Sequence, residues 1–300
     1  MTVKDSCEEF LVYLSSVRGM TDNTITAYSE DYKKLREFLG EESQIDKVSL
    51  QDLRFCVGSL SAQKYSTASI NRFIASVRAL FSYSQKFGRL QVNPALQLKG
   101  LKAPKHLPNF MTPSEVDALC SAPQKNELLW ASRDKAIFEM LYSSGCRVAE
   151  LASLKLGDFS SGGKSAVVKG KGKKDRIVYF EADALKALSE YLLERKALLA
   201  RLKLPGQKAL FVNEKGGELT TRGLRWIVNR YSGVEGTKRH VSPHAFRHTF
   251  ATAMLSKGAD VRVVQEMLGH ASISTTQRYT HVTTQQLIDI YKRAHPHGEK

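Results

Sequence analysis

Residues 93–113 read NPALQLKGLKAPKHLPNFMTP, and this stretch divides the chain. Four of the eight prolines fall inside it, at Pro94, Pro104, Pro108 and Pro113. Each fixes φ and removes a backbone donor, so regular structure is not expected and a semi-rigid, extended connector is. The expected organisation is therefore residues 1–92 as one domain, 93–111 as a linker and 112–300 as a second domain. A chain of 300 residues is long enough for two such cores.

Upstream of the connector the apolar spacing predicts four helices. A Ser6-x-x-Glu9 capping box opens the first, with Phe10, Leu11, Leu14 and Val17 on one face. The second starts near Asn23, turns Ile25, Tyr28, Tyr32, Leu35 and Leu39 inward, and stops at Gly40. A short third follows Ser49. The fourth, Ser66 to about Phe87, buries Ile70, Phe73, Ile74, Val77, Leu80 and Phe81, and Gly88 ends it. Its outer face carries Ser69, Asn71, Arg72, Arg78 and Lys86, which suits either solvent or a nucleic-acid backbone. Downstream, helices are expected at 112–121, 133–144, 183–201, 221–231, 243–257, 260–268 and 283–293. Two β-rich runs, AVVK and RIVYF, flank a Gly-rich turn and predict a hairpin. The fold class is mainly α in two domains, the second a mixed α+β unit with one small sheet.

Composition narrows the function classes. Lys plus Arg exceed Asp plus Glu by 45 − 30 = +15. Residues 53–114 hold nine basic residues and no acid, and residues 219–259 hold seven and one acid, Glu235. The first 52 residues hold eleven acids. Acid-free basic blocks fit a polyanion footprint better than an evenly basic surface. No apolar run is long enough for a membrane span, and the start MTVKDSCEEF lacks the pattern of a secretory leader. Cys7, Cys56, Cys120 and Cys146 lie far apart without a CxxC pair, as expected of reduced, buried thiols in a cytoplasm.

Four segments carry polar groups that core packing does not require. In SSGCRVAEL, Arg147 and Glu150 share a face at i, i+3; taken alone they are equally a surface ion pair. In SPHAFRHTFATAML, Pro243 suits a first helical position, Phe246, Phe250 and Ala253 form the inner stripe, and His244 and Arg247 project together. His248 lies near them with a structural role as good as a functional one. His240, His244 and His248 recur every four residues, but Pro243 interrupts the helix and no HExxH or Cys pair is present, so no metal site is expected. In LGHASISTTQRYTHV, His270 follows a helix end and Tyr279 sits among hydroxyls and bases rather than in an apolar stripe. The turn KGKGKKDR brings together Lys169, Lys171, Lys173 and Lys174. Two guanidiniums, imidazoles, an ammonium and a tyrosine hydroxyl are an inventory suited to attack on a phosphodiester without metal or other cofactor.

The ordered set Arg147, Lys171, His244, Arg247, His270 and Tyr279 resembles that of the tyrosine recombinases, the phage-integrase family, and among them most the bacterial Xer group. Ser144 stands where the family more often has Thr. The resemblance covers nearly the whole chain. It implies an N-terminal SAM-like, four-helix core-binding domain and a C-terminal catalytic domain that together clamp duplex DNA. It also implies Tyr279 as the nucleophile forming a 3′-phosphotyrosine, and Arg147 and Arg247 as the phosphate clamp. His244 and His270 complete the charge and proton chemistry, Lys171 acts as the general acid, and Glu150 supports Arg147. Asn71, Arg72 and Arg78, with Arg222 and Arg225 on the helix 221–231, are the DNA-binding candidates.

Implied partners are double-stranded DNA at a specific recombination site, a homo- or hetero-tetramer with a related recombinase, and a septal DNA translocase as trigger; no membrane partner is implied. The implied task is chromosome-dimer resolution in the cytoplasm, at the nucleoid. A mobile-element integrase and a non-catalytic DNA-binding protein stay open at this point. The tail 283–293, with Leu287, Ile288 and Tyr291, would dock on a neighbouring protomer or cover its own core.

Overall fold

A computed structural model describes residues 1–102, 111–125, 129–170, 175–232 and 241–269, together with residues 291 and 294. The chain separates into two compact units, Met1–His106 and Leu107–Lys300.

The first unit is built on α1 (Val3–Ser16), α2 (Asp22–Leu39), α3 (Leu50–Ala62) and α4 (Thr67–Lys86). Helix α1 begins a turn earlier than expected. Thr2 is its N-cap, accepting from the Asp5 amide at 3.0 Å while Asp5 accepts from the Thr2 amide at 3.2 Å. The earlier of two competing capping boxes wins because it brings Val3 and Cys7 onto the buried face with Phe10 and Leu14. Ser6 is buried instead, and Glu9 accepts from the Tyr83 hydroxyl at 2.8 Å and pairs with Arg89. Val17 stays exposed at the C-cap.

Helix α2 buries Tyr32 and Leu35 and stops at Gly40, whose φ of 87° suits glycine. It also buries Asp31, which Arg72 of α4 grips with Nε and Nη2 at 3.0 and 2.9 Å. Ser49 caps α3 through Asp52, and Ser66 caps α4.

The connector departs from expectation over its first residues. Pro94–Gln97 forms a 3-10 turn with Asn93 as its cap, and Ala95 and Leu98 are buried in the first unit's core. The Arg78 guanidinium donates to the carbonyls of Ala95 and Leu98. Asn71 clasps Leu101 through both backbone groups, at 2.9 and 2.7 Å. Proline at the first position of a tight turn costs no hydrogen bond, and Arg78 satisfies the carbonyls that a short turn leaves open.

The second unit is organised around α6 (Ala131–Ser144), buried along nearly its whole length from Arg133 onward. Against it pack α5 (Pro113–Lys125), α8 (Ala182–Arg201) and α10 (Pro243–Ser256), with α7 (Val148–Ser153), α9 (Thr221–Tyr231) and α11 (Val261–Leu268) completing the layer. Strands β1 (Ser165–Lys169) and β2 (Asp175–Tyr179) pair antiparallel, with Val168 opposite Arg176. The buried stripe of α10 is Phe246, Phe250 and Met254; Ala253 is half-buried. Tyr291 is buried among Phe250, Met254 and α11 residues of its own chain, and its hydroxyl donates to the Ser143 carbonyl at 2.8 Å. Leu287 and Ile288 lie outside the described residues. The four cysteines are free and buried. Among the described residues no helix is long and apolar enough to cross a membrane, and no group of His, Cys, Asp or Glu could hold a metal.

Candidate active site

The site begins where α6 ends. Gly145 takes the left-handed conformation, φ 58°, as the helix C-cap. A Cβ there would lie 2.5 Å from Cδ1 of Phe250, so both backbone and space demand glycine. The turn releases the Gly145 carbonyl to accept from Arg247 Nη1 at 2.9 Å. Two residues later Arg147 serves as N-cap of α7, and Glu150 reaches back to accept from its amide at 2.6 Å.

Glu150, only 4% exposed, is the hub. Its Oε1 accepts from Arg147 Nη1 at 2.7 Å and from Arg176 Nη1 at 2.7 Å, and its Oε2 accepts from Arg176 Nη2 at 2.8 Å. The same arginines and Arg247 converge on the end of α11. Arg176 Nε donates to the Met267 carbonyl at 2.9 Å, Arg247 Nη2 to the Leu268 carbonyl, and Arg147 Nη2 to the Gly269 carbonyl at 2.9 Å. The last carbonyls of a helix lack intrahelical partners and sit at its negative pole, so they attract cations. Gly269, with φ 64°, ends α11 directly before His270.

Three guanidiniums and one carboxylate leave a surplus of 3 − 1 = +2 in a largely buried cluster. Burial, and then repulsion from Arg147 and Arg176, push the Arg247 guanidinium down to about 10. Burial opposes ionisation of Glu150, but the hydrogen bonds from Arg176 and from the Arg147 backbone outweigh it and hold the carboxyl below its ordinary value. Burial also depresses the His244 imidazole, helped by repulsion from His248, Arg225, Arg247 and Arg147. Such a site is under-neutralised, and an anion placed against it removes the repulsion.

Of the expected site residues, the structure brings together Arg147, Glu150 and Arg247, with exposed His244 in their field. Lys171, His270 and Tyr279 lie outside the described residues. Arg222 and Arg225 are on the exposed face of α9, whose inner face is Leu224, Ile227, Val228 and Tyr231. Asn71, Arg72 and Arg78, expected on an outward face, each bond inside the first unit. Arg176 went unnoticed in the sequence. The available signal was register: it falls on the strand face of Val178, an inward position where a core hairpin would carry an apolar residue.

The profile of the Phage integrase family matches residues 109–286, and that of the phage integrase N-terminal SAM-like domain matches residues 7–86. The family profile, together with a curated relative, shows a DNA strand-exchange enzyme, a tyrosine recombinase. A Tyrosine recombinase XerC from Treponema denticola is 42% identical over 300 residues, covering 97% of this chain and 98% of that protein. In fold the chain is similar to the Tn1549 transposon integrase in complex with transposon right end DNA, with a TM-score of 0.74, 20% identity, and 98% and 99% of the two chains covered. It is also similar to a lambda integrase tetramer bound to a Holliday junction, with a TM-score of 0.70, 17% identity, and 92% and 76% covered. The chain belongs to the phage integrase family.

Proposed function

We propose that this enzyme cuts and rejoins duplex DNA at a specific site through a 3′-phosphotyrosine, as one protomer of a tetramer on paired sites. The observation that carries the reading is the cluster of Arg147, Arg247 and Arg176 around one buried carboxylate, with surplus charge and His244 beside it.

In the proposed step the Tyr279 oxygen attacks the scissile phosphorus and the bond to the 5′-oxygen breaks. The phenolic proton passes to a neighbouring imidazole, His244 or His270, and Lys171 protonates the departing 5′-oxygen. Arg147 and Arg247 hold the non-bridging oxygens and neutralise the charge that grows in the transition state. A depressed His244 is neutral at pH 7, hence able to accept a proton, and the arriving phosphate makes its cation tolerable. The phosphotyrosine keeps the diester's bond energy, so attack by a 5′-hydroxyl reverses the step with no ATP.

Arg222 and Arg225 fit base or backbone contacts from the exposed face of α9. Asn71, Arg72 and Arg78 fit such contacts less directly, since each already holds an internal partner. The extent of the likeness to the XerC from Treponema denticola supports chromosome-dimer resolution before cell division. That task places the enzyme in the cytoplasm at the nucleoid, with a related recombinase and a septal DNA translocase as partners; a mobile-element integrase is the second reading.

The test is covalent trapping on a nicked duplex carrying a candidate chromosomal site, in EDTA, with Tyr279→Phe alongside. A slow-migrating adduct from the wild type, absent from the variant, is the expected result. Binding without adduct, across several sites and with a related recombinase added, overturns the assignment of Tyr279.

A further inference from the structure

Arg176 joins three segments that the cleavage step uses. It belongs to β2, five residues after Lys171 in the sequence. Its side chain, 12% exposed, reaches two other elements at once. Nη1 and Nη2 hold both oxygens of Glu150 at 2.7 and 2.8 Å, and Nε holds the Met267 carbonyl at 2.9 Å. Glu150 in turn holds Arg147 by its amide and by Nη1.

The order of these contacts matters. A carboxylate held by one guanidinium nitrogen keeps a broad terminal torsion, whereas a two-pronged grip fixes its plane. Arg147 also holds both oxygens, through its backbone amide and Nη1, but among the described residues the one grip on the carboxylate that is independent of Arg147 is the Arg176 fork. Gly269 packs against that fork, and a Cβ there would lie 3.1 Å from Arg176 Cδ.

We propose that Arg176 is a positioning residue for DNA cleavage. Through Glu150 it fixes the direction in which the Arg147 guanidinium points, and through Met267 it holds the end of α11 from which the chain passes to His270. This rests on the reading of Arg147 as the group that neutralises the scissile phosphate.

A purely structural staple makes a different prediction, and the charge of the phosphate separates the two. Single-turnover cleavage is measured on a nicked duplex with an ordinary scissile diester, and on one with a methylphosphonate there, which lacks the negative non-bridging oxygen. Arg176→Gln and Arg176→Lys are compared with wild type on each substrate, with duplex affinity and reactive fraction recorded. On the diester the Gln variant should slow on the order of 10²-fold, the cost of misplacing a catalytic group by about 1 Å. On the neutral phosphate the deficit should shrink to below about tenfold, since there is little charge for Arg147 to neutralise. Lysine keeps the charge but not the fork, should fold where Gln does not, and should show the same dependence on phosphate charge in weaker form.

Equal losses on both phosphates, or no loss, overturn the proposal while leaving Tyr279 and Arg147 in place. Absence of any adduct from the wild type, alongside an identical Tyr279→Phe, overturns the underlying reading and this inference with it.

Discussion

Glu150→Gln tests the electrostatic account of the site most directly. The carboxylate accepts four hydrogen bonds of 2.6–2.8 Å, from the Arg147 amide, Arg147 Nη1, and Arg176 Nη1 and Nη2. An amide of the same shape keeps one acceptor and turns a donor toward groups that can only donate. Arg147, Arg176 and Arg247 are then left with no carboxylate among them. Removing one partner of a buried charge network costs about 3–5 kcal/mol. The unit that contains the site runs from Leu107 to Lys300. For a unit of that size each kcal/mol moves Tm by about 2–4 °C, so the expected drop is roughly 6–20 °C.

The assay is calorimetry at low ionic strength in a buffer without phosphate or sulfate, because either anion would occupy the cluster and mask the loss. Acid supplies the internal control. The Glu150 carboxyl is held below its ordinary value, burial being outweighed by Arg176 and the Arg147 backbone. Its stabilisation is therefore present above the unfolded value of about 4.3 and is lost as pH falls through the folded one. The gap between wild type and variant should close as the buffer goes below about pH 4. A drop of less than about 2 °C at pH 7, or a gap indifferent to acid, would show that Arg176 and Arg147 do not depend on this carboxylate.

Three further outcomes are expected. Gly145→Ala combines a left-handed backbone with a Cβ 2.5 Å from the Phe250 ring, so the urea midpoint should fall by the equivalent of about 2–4 kcal/mol. Adding Phe250→Leu should recover part of it, and an unchanged midpoint in the single variant would refute the close approach. Asp31→Asn leaves the Arg72 fork facing a neutral amide in the first unit, and a loss of roughly 3 kcal/mol is expected by chemical denaturation. A variant as stable as wild type would mean that Arg72 is held elsewhere. The His244 ring should titrate below its ordinary range in the free protein and move upward in Arg225→Ala or on binding duplex, followed by NMR of its ring proton. Titration at the ordinary value, unaltered by either change, would remove Arg225 and the arginine cluster from its surroundings.

Much of the architecture was legible because it depends on neighbours in the chain. The stripes of Tyr32 and Leu35, of Ile70 through Phe81, and of Phe246 and Phe250 follow the helical period, and Gly40 and Gly88 stop their helices as expected. The hairpin came from two β-rich runs around a glycine turn, and the pairing of Arg147 with Glu150 from their i, i+3 spacing. Even the misplaced start of α1 was a choice between two valid capping patterns, decided by which one buries Val3 and Cys7. Local rules reach about one helical turn, and within that reach the sequence spoke clearly.

Beyond that reach, partner choice belongs to tertiary structure. The sequence gives no sign that Arg72 turns inward to Asp31, 41 residues away, or that Arg78 satisfies the carbonyls of the turn after Asn93. It could mark Arg147 and Arg247 as candidates, but it could not show them meeting over the end of α11, 122 and 21 residues distant. Nor could it place Arg176 between Glu150 and Met267, since only the hairpin's register decides which strand face looks into the site. A guanidinium has five donors and a long, flexible stem, so its partner is set by which acceptors the packed backbone leaves unsatisfied. Those acceptors, a buried carboxylate and the bare carbonyls at a helix end, exist only once the chain has folded.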